Sequence, residues 1–300
     1  MNIVLCLLQI VLYNKKEVIS LETNKKMGYL NSDFKIFHII DKEQKEFSYH
    51  YHDFIKINIF ISGNVSYFIE GKSYQLNPYD IVLVNAGEIH RPVIHDTTPY
   101  ERIIIYISPS FFDDYKKEDY ELDYCFNQAN LHHTNVLRIN EVQKNRILNV
   151  INRLEQSFNA VGFANSLYQK ILFLEFMIFI NQVVIDQGVY YLDTSTSNVK
   201  VLEIMKYINE HLNEELNIDV IANEFYLNRS YLMHLFKDNT GYTIGKYITE
   251  KRLFMAKTLI QNGTSVTEAC FECGFKNYAT FFRAFKDKFH ISPKDASEIL

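Results

Sequence analysis

Residues 218–237 have the sequence IDVIANEFYLNRSYLMHLFK, and residues 266–286 follow the same plan with VTEACFECGFKNYATFFRAFK. Each stretch predicts a short helix, a turn and a second amphipathic helix, because apolar residues recur at helical spacing on both sides of a break. Asn228 and Asn277 stand where the second helices should begin and can cap them. Two helices joined by a short turn form a helix-turn-helix unit, whose second helix enters a DNA major groove.

The buried face of each predicted helix is defined by its apolar stripe. In the first unit small Ala222 lies where two helices must approach closely. The predicted stripes of the first unit are Val220, Ile221 and Phe225, then Tyr231, Leu232, Leu235 and Phe236. Those of the second unit are Val266, Ala269 and Cys270, then Phe281, Phe282 and Phe285. Residues 243–260 predict one continuous helix that connects the two units, because their apolar residues also recur at helical spacing.

Several motifs within 199–297 carry more information than periodicity. They are LFKDNTG at 235–241, Arg252-Leu253 with Ala256, and Gly274-Phe275 followed by FFRAFK at 281–286. Together they resemble the signature of the AraC family of bacterial transcription regulators. The family usually has Gly where His290 stands and Tyr-Arg where Ala296-Ser297 stand, so the last turn departs from the pattern.

The N-terminal half predicts a different architecture, because short β-branched and aromatic runs alternate with turn residues. The predicted strands are Phe34–Ile40, Ile55–Ile61, Val65–Ile69, Ser73–Leu76, Ile81–Val84 and Arg102–Ile107. The predicted fold class is therefore α+β, with a cupin-like β-barrel or jelly roll followed by an all-α domain that holds two helix-turn-helix units.

A group of polar residues is set into the predicted barrel. His50 and His52 are followed by Lys56, and His90 closes a later Gly-Glu-Ile-His run. This resembles the cupin pattern, in which His-x-His, a Glu and a later His ligate a metal. Lys56 stands at the Glu position, where a cation opposes a metal ion, although three neutral imidazoles are a sufficient ligand set. The alternatives are a sugar-like or small polar effector, which we favour, and a plain set of polar barrel residues.

Two helices and a linker are predicted between these halves. Residues 138–158 show a helical stripe, and 164–185 form a helix that is apolar on nearly all sides. In proteins that this chain resembles, such helices often mediate dimer contact; packing against the barrel is the alternative. Polar residues interrupt the second helix, which excludes a membrane span. The predicted divisions are an uncertain extension at 1–26, a barrel at 27–135, a helical segment at 136–186, a linker at 187–198 and a DNA-binding domain at 199–300.

The predicted function is a DNA-binding transcription regulator controlled by a small effector, such as a sugar, held by His50, His52, Lys56 and His90. The residues predicted to contact DNA are Arg229, Ser230, Met233, His234, Lys237, Tyr278, Ala279, Thr280, Arg283 and Lys286. Expected partners are double-stranded DNA, the effector, a second copy of the chain and RNA polymerase. No cofactor, catalytic residue or metal ligand is assigned. The alternative is a metal-dependent cupin enzyme, similar to a three-histidine oxygenase, with a helical appendage.

Composition supports these expectations without deciding them. The net charge is −5, yet residues 199–300 are neutral, and basic residues are concentrated on the last predicted recognition helix. Four cysteines do not form a disulfide framework, and we expect Cys270 and Cys273 to pack in the core. The apolar run at 3–13 is a poor signal peptide, and translation starting at Met27 would exclude it. The protein is expected in the cytoplasm.

Overall fold

The computed structural model describes residues 30–297 apart from 31, 44, 118, 133, 160–161, 187 and 193–197. The predicted extension at 1–26 therefore lies outside the described residues. The strands are β1 Phe34–Asp41, β2 Ile55–Ser62, β3 Val65–Ile69, β4 Lys72–Gln75, β5 Ile81–Val84, β6 His90–Ile94, β7 Tyr100–Ile107, β8 Lys116–Lys117, β9 Tyr120–Glu121, β10 Val136–Ile139 and β11 Val189–Tyr191.

The α-helices follow mainly in the second half of the chain, after a 3-10 turn at Pro109–Tyr115. They are α1 Tyr124–Leu131, α2 Glu141–Asn159, α3 Asn165–Ile185, α4 Val199–Glu210, α5 Ile218–Glu224, α6 Arg229–Thr240, α7 Ile244–Gln261, α8 Val266–Glu272 and α9 Tyr278–Phe289. The predicted α+β class, with an N-terminal sheet domain and a helical domain, is confirmed.

Nine of the eleven described strands form two open sheets, and β8 pairs with β9 in a separate two-stranded sheet. A six-stranded sheet has the order β1-β7-β2-β5-β10-β11, and a three-stranded sheet has the order β4-β3-β6. Alternate residues of a strand point to opposite faces, so β2 sends Ile57 and Ile59 toward the helices and Lys56 and Asn58 toward the second sheet. This alternation places polar side chains between the sheets, in the interior of the cupin-like domain.

Helices α2 and α3 cover the outer face of the larger sheet. One side of α3, including Phe173 and Phe176, is fully buried there. This side of the helix therefore packs against the sheet, which was the alternative given for it from the sequence. The other side leaves Ile171 and Ile178 about half exposed, at 52% and 51%. Among the described residues α3 is long and apolar enough to span a membrane, but half of its apolar window is buried in this core.

The described residues contain five short strands that the sequence did not predict, β6 and β8 to β11, and two of them, β10 and β11, lie in segments predicted otherwise. Arg138 and Ile139, predicted as the start of a helix, belong to β10, and α2 begins only at Glu141. Residues 189–191 of the predicted linker form β11, which pairs antiparallel with β10. Both strands have four residues or fewer, so their conformation depends on hydrogen bonds to neighbouring strands that a local pattern does not reveal.

The helical domain has the two predicted helix-turn-helix units, α5–α6 and α8–α9. The side chain of Asn228 accepts a hydrogen bond from the backbone of Ser230, and that of Asn277 accepts one from Thr280. Both predicted caps are therefore present, and each satisfies a backbone N–H that the first helical turn leaves without a partner. Helix α7 connects the units as one continuous helix of 18 residues.

Two details of this domain differ from the sequence expectation. Tyr231 and Val220 were assigned to the buried stripes but are 56% and 36% exposed, whereas Leu232 and Phe236 are fully buried. His290 ends α9 with φ +60°, as Gly241 ends α6 with φ +73°. The position where the family usually has Gly thus requires a left-handed backbone, which a histidine adopts at some cost in strain.

Candidate functional site

Three histidines meet in the interior of the cupin-like domain, as predicted. His50, His52 and His90 are buried, and each offers one ring nitrogen within 4.8 Å of the others. The Nδ1 atoms of His50 and His90 donate to the carbonyls of Ser48 and Glu88, at 2.9 Å and 3.0 Å. Those bonds fix the tautomer, because the Nε2 atoms are then left as acceptors that face the centre of the cluster.

Lys56 enters the same cluster from β2. Its ammonium donates to the hydroxyl of Tyr67 at 3.0 Å and faces Nε2 of His90 at 3.4 Å. Burial, with the nearby Arg102 as a second cause, lowers the pKa of Lys56 from 10.5 to about 7. Burial also lowers the pKa of His50 from 6.5 to about 4, with Lys56 as a second cause. The imidazole of His50 is therefore neutral near pH 7.

The three imidazoles are close enough to share a divalent metal ion, and the charge of Lys56 is the feature of this cluster that opposes one. Three imidazoles completed by a water form a known catalytic zinc site. Here the nitrogen of Lys56 lies 3.4 Å from Nε2 of His90, which is a prospective ligand atom. A charged Lys56 repels a cation at this distance. Neutral imidazoles, a phenol and an amine instead suit hydroxyl groups or an anion as the bound chemistry.

Other interior residues near the cluster were not predicted. Tyr67 stacks on His90 with ring centroids 5.9 Å apart, and Tyr106 lies 5.6 Å from His52. Asn58 is buried, and its side-chain oxygen lacks a hydrogen-bond partner among the described residues. The alternation of side chains along β2 and β3 could have identified them. It directs Asn58 and Tyr67 to the same interior as Lys56.

The residues predicted to contact DNA lie on two exposed helix faces. All ten are solvent-exposed and lie on α6 and α9, with the buried stripes behind them. Arg229 already forms an ion pair with Asp219 at 3.0 Å. Such an exposed ion pair stabilises the folded protein by only about 0–1 kcal/mol. A DNA phosphate or base can therefore replace the carboxylate of Asp219 as the partner of Arg229. The Nε of Arg283 donates to the Ala279 carbonyl at 3.3 Å, which leaves most of its guanidinium available.

The positive charge of the second unit is smaller than the sequence suggested. Lys288 is buried and forms an ion pair with Glu250, so it does not face DNA. Lys276 pairs with Glu215 on the surface. Arg283 and Lys286 remain as exposed basic residues on α9. The predicted cysteine role is confirmed, because Cys270 and Cys273 are free thiols packed fully inside the second unit's core.

Two family profiles match the chain. The profile of the AraC-like ligand binding domain matches residues 36–176, and that of a helix-turn-helix domain matches residues 221–298. The chain belongs to the AraC family. Its members regulate transcription by binding DNA, so this chain is a sequence-specific DNA-binding regulator with an N-terminal effector domain. The cupin enzyme alternative is not supported.

The AraC-family relatives include two proteins described as HTH-type transcriptional activator RhaS. The one from Shigella sonnei is 24% identical over 253 residues, covering 84% of this chain and 88% of the relative. The one from Salmonella schwarzengrund is 25% identical over 256 residues, with the same shares. A solved structure of ToxT from Vibrio cholerae is 15% identical and covers 90% of this chain and 99% of its own, with a TM-score of 0.36.

Proposed function

We propose that this AraC-family regulator binds a small polyhydroxylated effector, of the monosaccharide class, at His50, His52, Lys56 and His90. The observation that carries the proposal is the convergence of these four side chains between the two sheets. Imidazole Nε2 atoms accept hydrogen bonds from hydroxyl groups, and the amine of Lys56 donates to hydroxyl or carboxylate oxygens. The cluster thus offers both kinds of partner that a sugar needs.

The effector proposal is tested by ligand-dependent thermal stability of the full chain. The probe is a panel of pentoses, hexoses and their uronic acids. A sugar present at 100 times its Kd stabilises the folded chain by about 2.7 kcal/mol, which raises the melting temperature of wild type. Replacing His50, His52 and His90 together with Ala should abolish that rise, and His38→Ala on exposed β1 is the matched control. A panel that stabilises neither protein contradicts the sugar class.

For DNA, we propose that each protomer places α6 and α9 in successive major grooves. Helix α7 has 18 residues and is about 27 Å long at about 1.5 Å per residue. That length is compatible with two recognition helices about one DNA turn, or ~34 Å, apart. The proposed contacts are Arg229, Ser230, Met233, His234 and Lys237 from the first unit, and Tyr278, Ala279, Thr280, Arg283 and Lys286 from the second.

We further propose that α3 joins two copies of the chain. Ile171, Ile178 and Ile185 recur every seven residues and are each at least half exposed, at 52%, 51% and 61%. A seven-residue apolar repeat is the pattern by which two helices interlock their side chains. A second copy of the same helix can cover this stripe, which no described part of the chain does.

The dimer is tested by light scattering of the purified chain. Ile178→Glu places a charge in the centre of the proposed seam and should convert dimer to monomer. Ile40→Glu, at an exposed isoleucine of β1, is the matched control and should leave the mass unchanged. Equal masses for wild type and Ile178→Glu would place any dimer contact elsewhere.

The relatives described as activators suggest that this regulator also activates transcription, with RNA polymerase as a partner. Action on DNA implies a cytoplasmic location. A reporter gene behind the bound operator distinguishes activation from repression, because deletion of the regulator lowers expression in the first case and raises it in the second.

A further inference from the structure

A ribbon of two short segments separates the histidine cluster from the DNA-binding domain. The backbones of His50 and His90 pair antiparallel: the N–H of His50 donates to the His90 carbonyl at 3.0 Å, and the reverse bond is 2.8 Å. Neighbouring side chains of extended backbone point to opposite sides. His50, His52 and His90 therefore face the interior, whereas Tyr49, Tyr51 and Ile89 face outward.

The outward residues pack into the DNA-binding domain. Tyr49, Tyr51 and Ile89 belong to the same apolar cluster as Leu232 and Phe236 of α6. The hydroxyl of Tyr49 donates to the Asn239 carbonyl at 2.8 Å. A Cβ added to Gly241 would lie only 2.4 Å from the Tyr49 ring. The ring of Tyr49 thus contacts the C-terminal end of the first recognition helix. The absence of a side chain at Gly241 permits the ring to approach the backbone there.

Tyr51 makes the corresponding contact with the second unit. The ammonium of Lys288, in the last turn of α9, lies 3.2 Å from the centroid of the Tyr51 ring. Phe254 of α7 meets the same ring edge-on, with centroids 5.8 Å apart. Adjacent outward side chains of one segment therefore contact the C-terminal ends of both recognition helices.

A carboxylate anchors the other strand of the ribbon to the connecting helix. Glu70 accepts hydrogen bonds from the Ile89 backbone at 2.7 Å, from the Tyr247 hydroxyl at 2.7 Å and from the Lys251 ammonium at 2.9 Å. Its side chain is mostly shielded from solvent, at 15% exposed. The ribbon is thus attached to α7 at one strand and to the two recognition helices at the other.

We propose that this ribbon, Tyr49–His52 paired with Ile89–His90, transmits effector binding to both recognition helices at once. The inference rests on the proposed effector site, because one short backbone segment carries His50 and His52 on its inner side and Tyr49 and Tyr51 on its outer side. The predicted DNA-contacting residues stay exposed when the domains are docked. The contact therefore sets the relative position of α6 and α9 and leaves their DNA faces open.

Hydrogen exchange of the full chain tests the transmission without an effector or DNA. His52→Ala should accelerate amide exchange in the last turns of α6, residues 237–241, and α9, residues 286–290. His38→Ala is the control and should change neither turn. Acceleration confined to the N-terminal domain, with both helix ends as in wild type, overturns the proposal.

A milder variant keeps the test valid if His52→Ala unfolds. Tyr49→Phe removes one hydroxyl and its bond to Asn239, a bond worth about 1 kcal/mol. Loss of that energy corresponds to about fivefold faster exchange at the end of α6. Tyr120→Phe, at an exposed tyrosine far along the chain, is the matched control. Unchanged exchange at 237–241 in Tyr49→Phe contradicts the proposed contact.

The same measurement separates this proposal from the effector proposal. If monosaccharides bind wild type but change exchange at neither helix end, the transmission fails and the effector site stands. If no monosaccharide binds but His52→Ala still accelerates exchange at both helix ends, the effector class fails and the transmission stands.

Discussion

Acidification should destabilise the N-terminal domain through His50, because this imidazole is buried in its neutral form. Its pKa falls from 6.5 to about 4 on folding, mainly through burial and secondly through Lys56. Between these two pH values the unfolded chain binds a proton that the folded chain does not. The free energy of unfolding therefore decreases as pH falls from 6.5 toward 4, and the contribution of His50 is fully lost below pH 4.

The size of this effect follows from the two pKa values. Each pKa unit corresponds to about 1.4 kcal/mol, so His50 alone accounts for about 3 kcal/mol. The pKa of His90 lies well below 6.5 for the same reason, with His50 and Lys56 as further causes. Its contribution adds in the same direction, so the total decrease should exceed that of His50 alone.

Urea denaturation at pH 7, 6, 5 and 4 measures the decrease. His50→Asn keeps a donor for the Ser48 carbonyl but cannot take up a proton in this range, so its unfolding free energy should depend less on pH by about 3 kcal/mol. His234→Asn makes the same change at an exposed histidine and is the control. Identical pH dependence in wild type and His50→Asn would refute a buried neutral imidazole at this position.

Three further predictions concern DNA, metal and salt. Arg283→Ala should weaken operator binding by about 1–3 kcal/mol if the guanidinium contacts a base, and more than His234→Ala does; the reverse order in a titration at fixed salt would assign recognition mainly to the first unit. Lys56→Glu should give a zinc-binding site, because it replaces the opposing cation with a carboxylate. Elemental analysis of dialysed protein should find stoichiometric zinc in this variant and not in wild type. Zinc in wild type would contradict the proposed repulsion between Lys56 and a metal ion. Lys286→Gln should lower the salt dependence of binding by about one counterion in the log–log slope; an unchanged slope would mean that Lys286 contacts no phosphate.

The helix-turn-helix domain was predictable because its signals are local. Asn228 and Asn277 cap helices that begin directly after them, and α7 follows from one uninterrupted stripe. The burial of Tyr231 was predicted wrongly, since a stripe of four apolar residues does not show which member lies at the edge of the face. The exposed position of this ring depends on how α6 packs against its neighbours.

The N-terminal domain was predictable in class and only partly in detail. The His-x-His spacing and the later histidine were sufficient to predict that His50, His52 and His90 converge. The short strands β10 and β11 were not predicted, because each is defined by its pairing partner. The contact between Tyr49 and Asn239 joins residues 190 positions apart. An alternating pattern around His50 shows that Tyr49 faces outward but does not show what covers it.

The central claim is that this chain reads DNA with two helix-turn-helix units of one protomer. A footprint of the purified full chain, on DNA that it selects from its own genome, tests this claim most directly. One recurring sequence per protomer is expected, spanning about 20 base pairs, with protected bases in two successive major grooves on one face of the duplex. Protection of a single groove per protomer, or the absence of any recurring sequence, would contradict it.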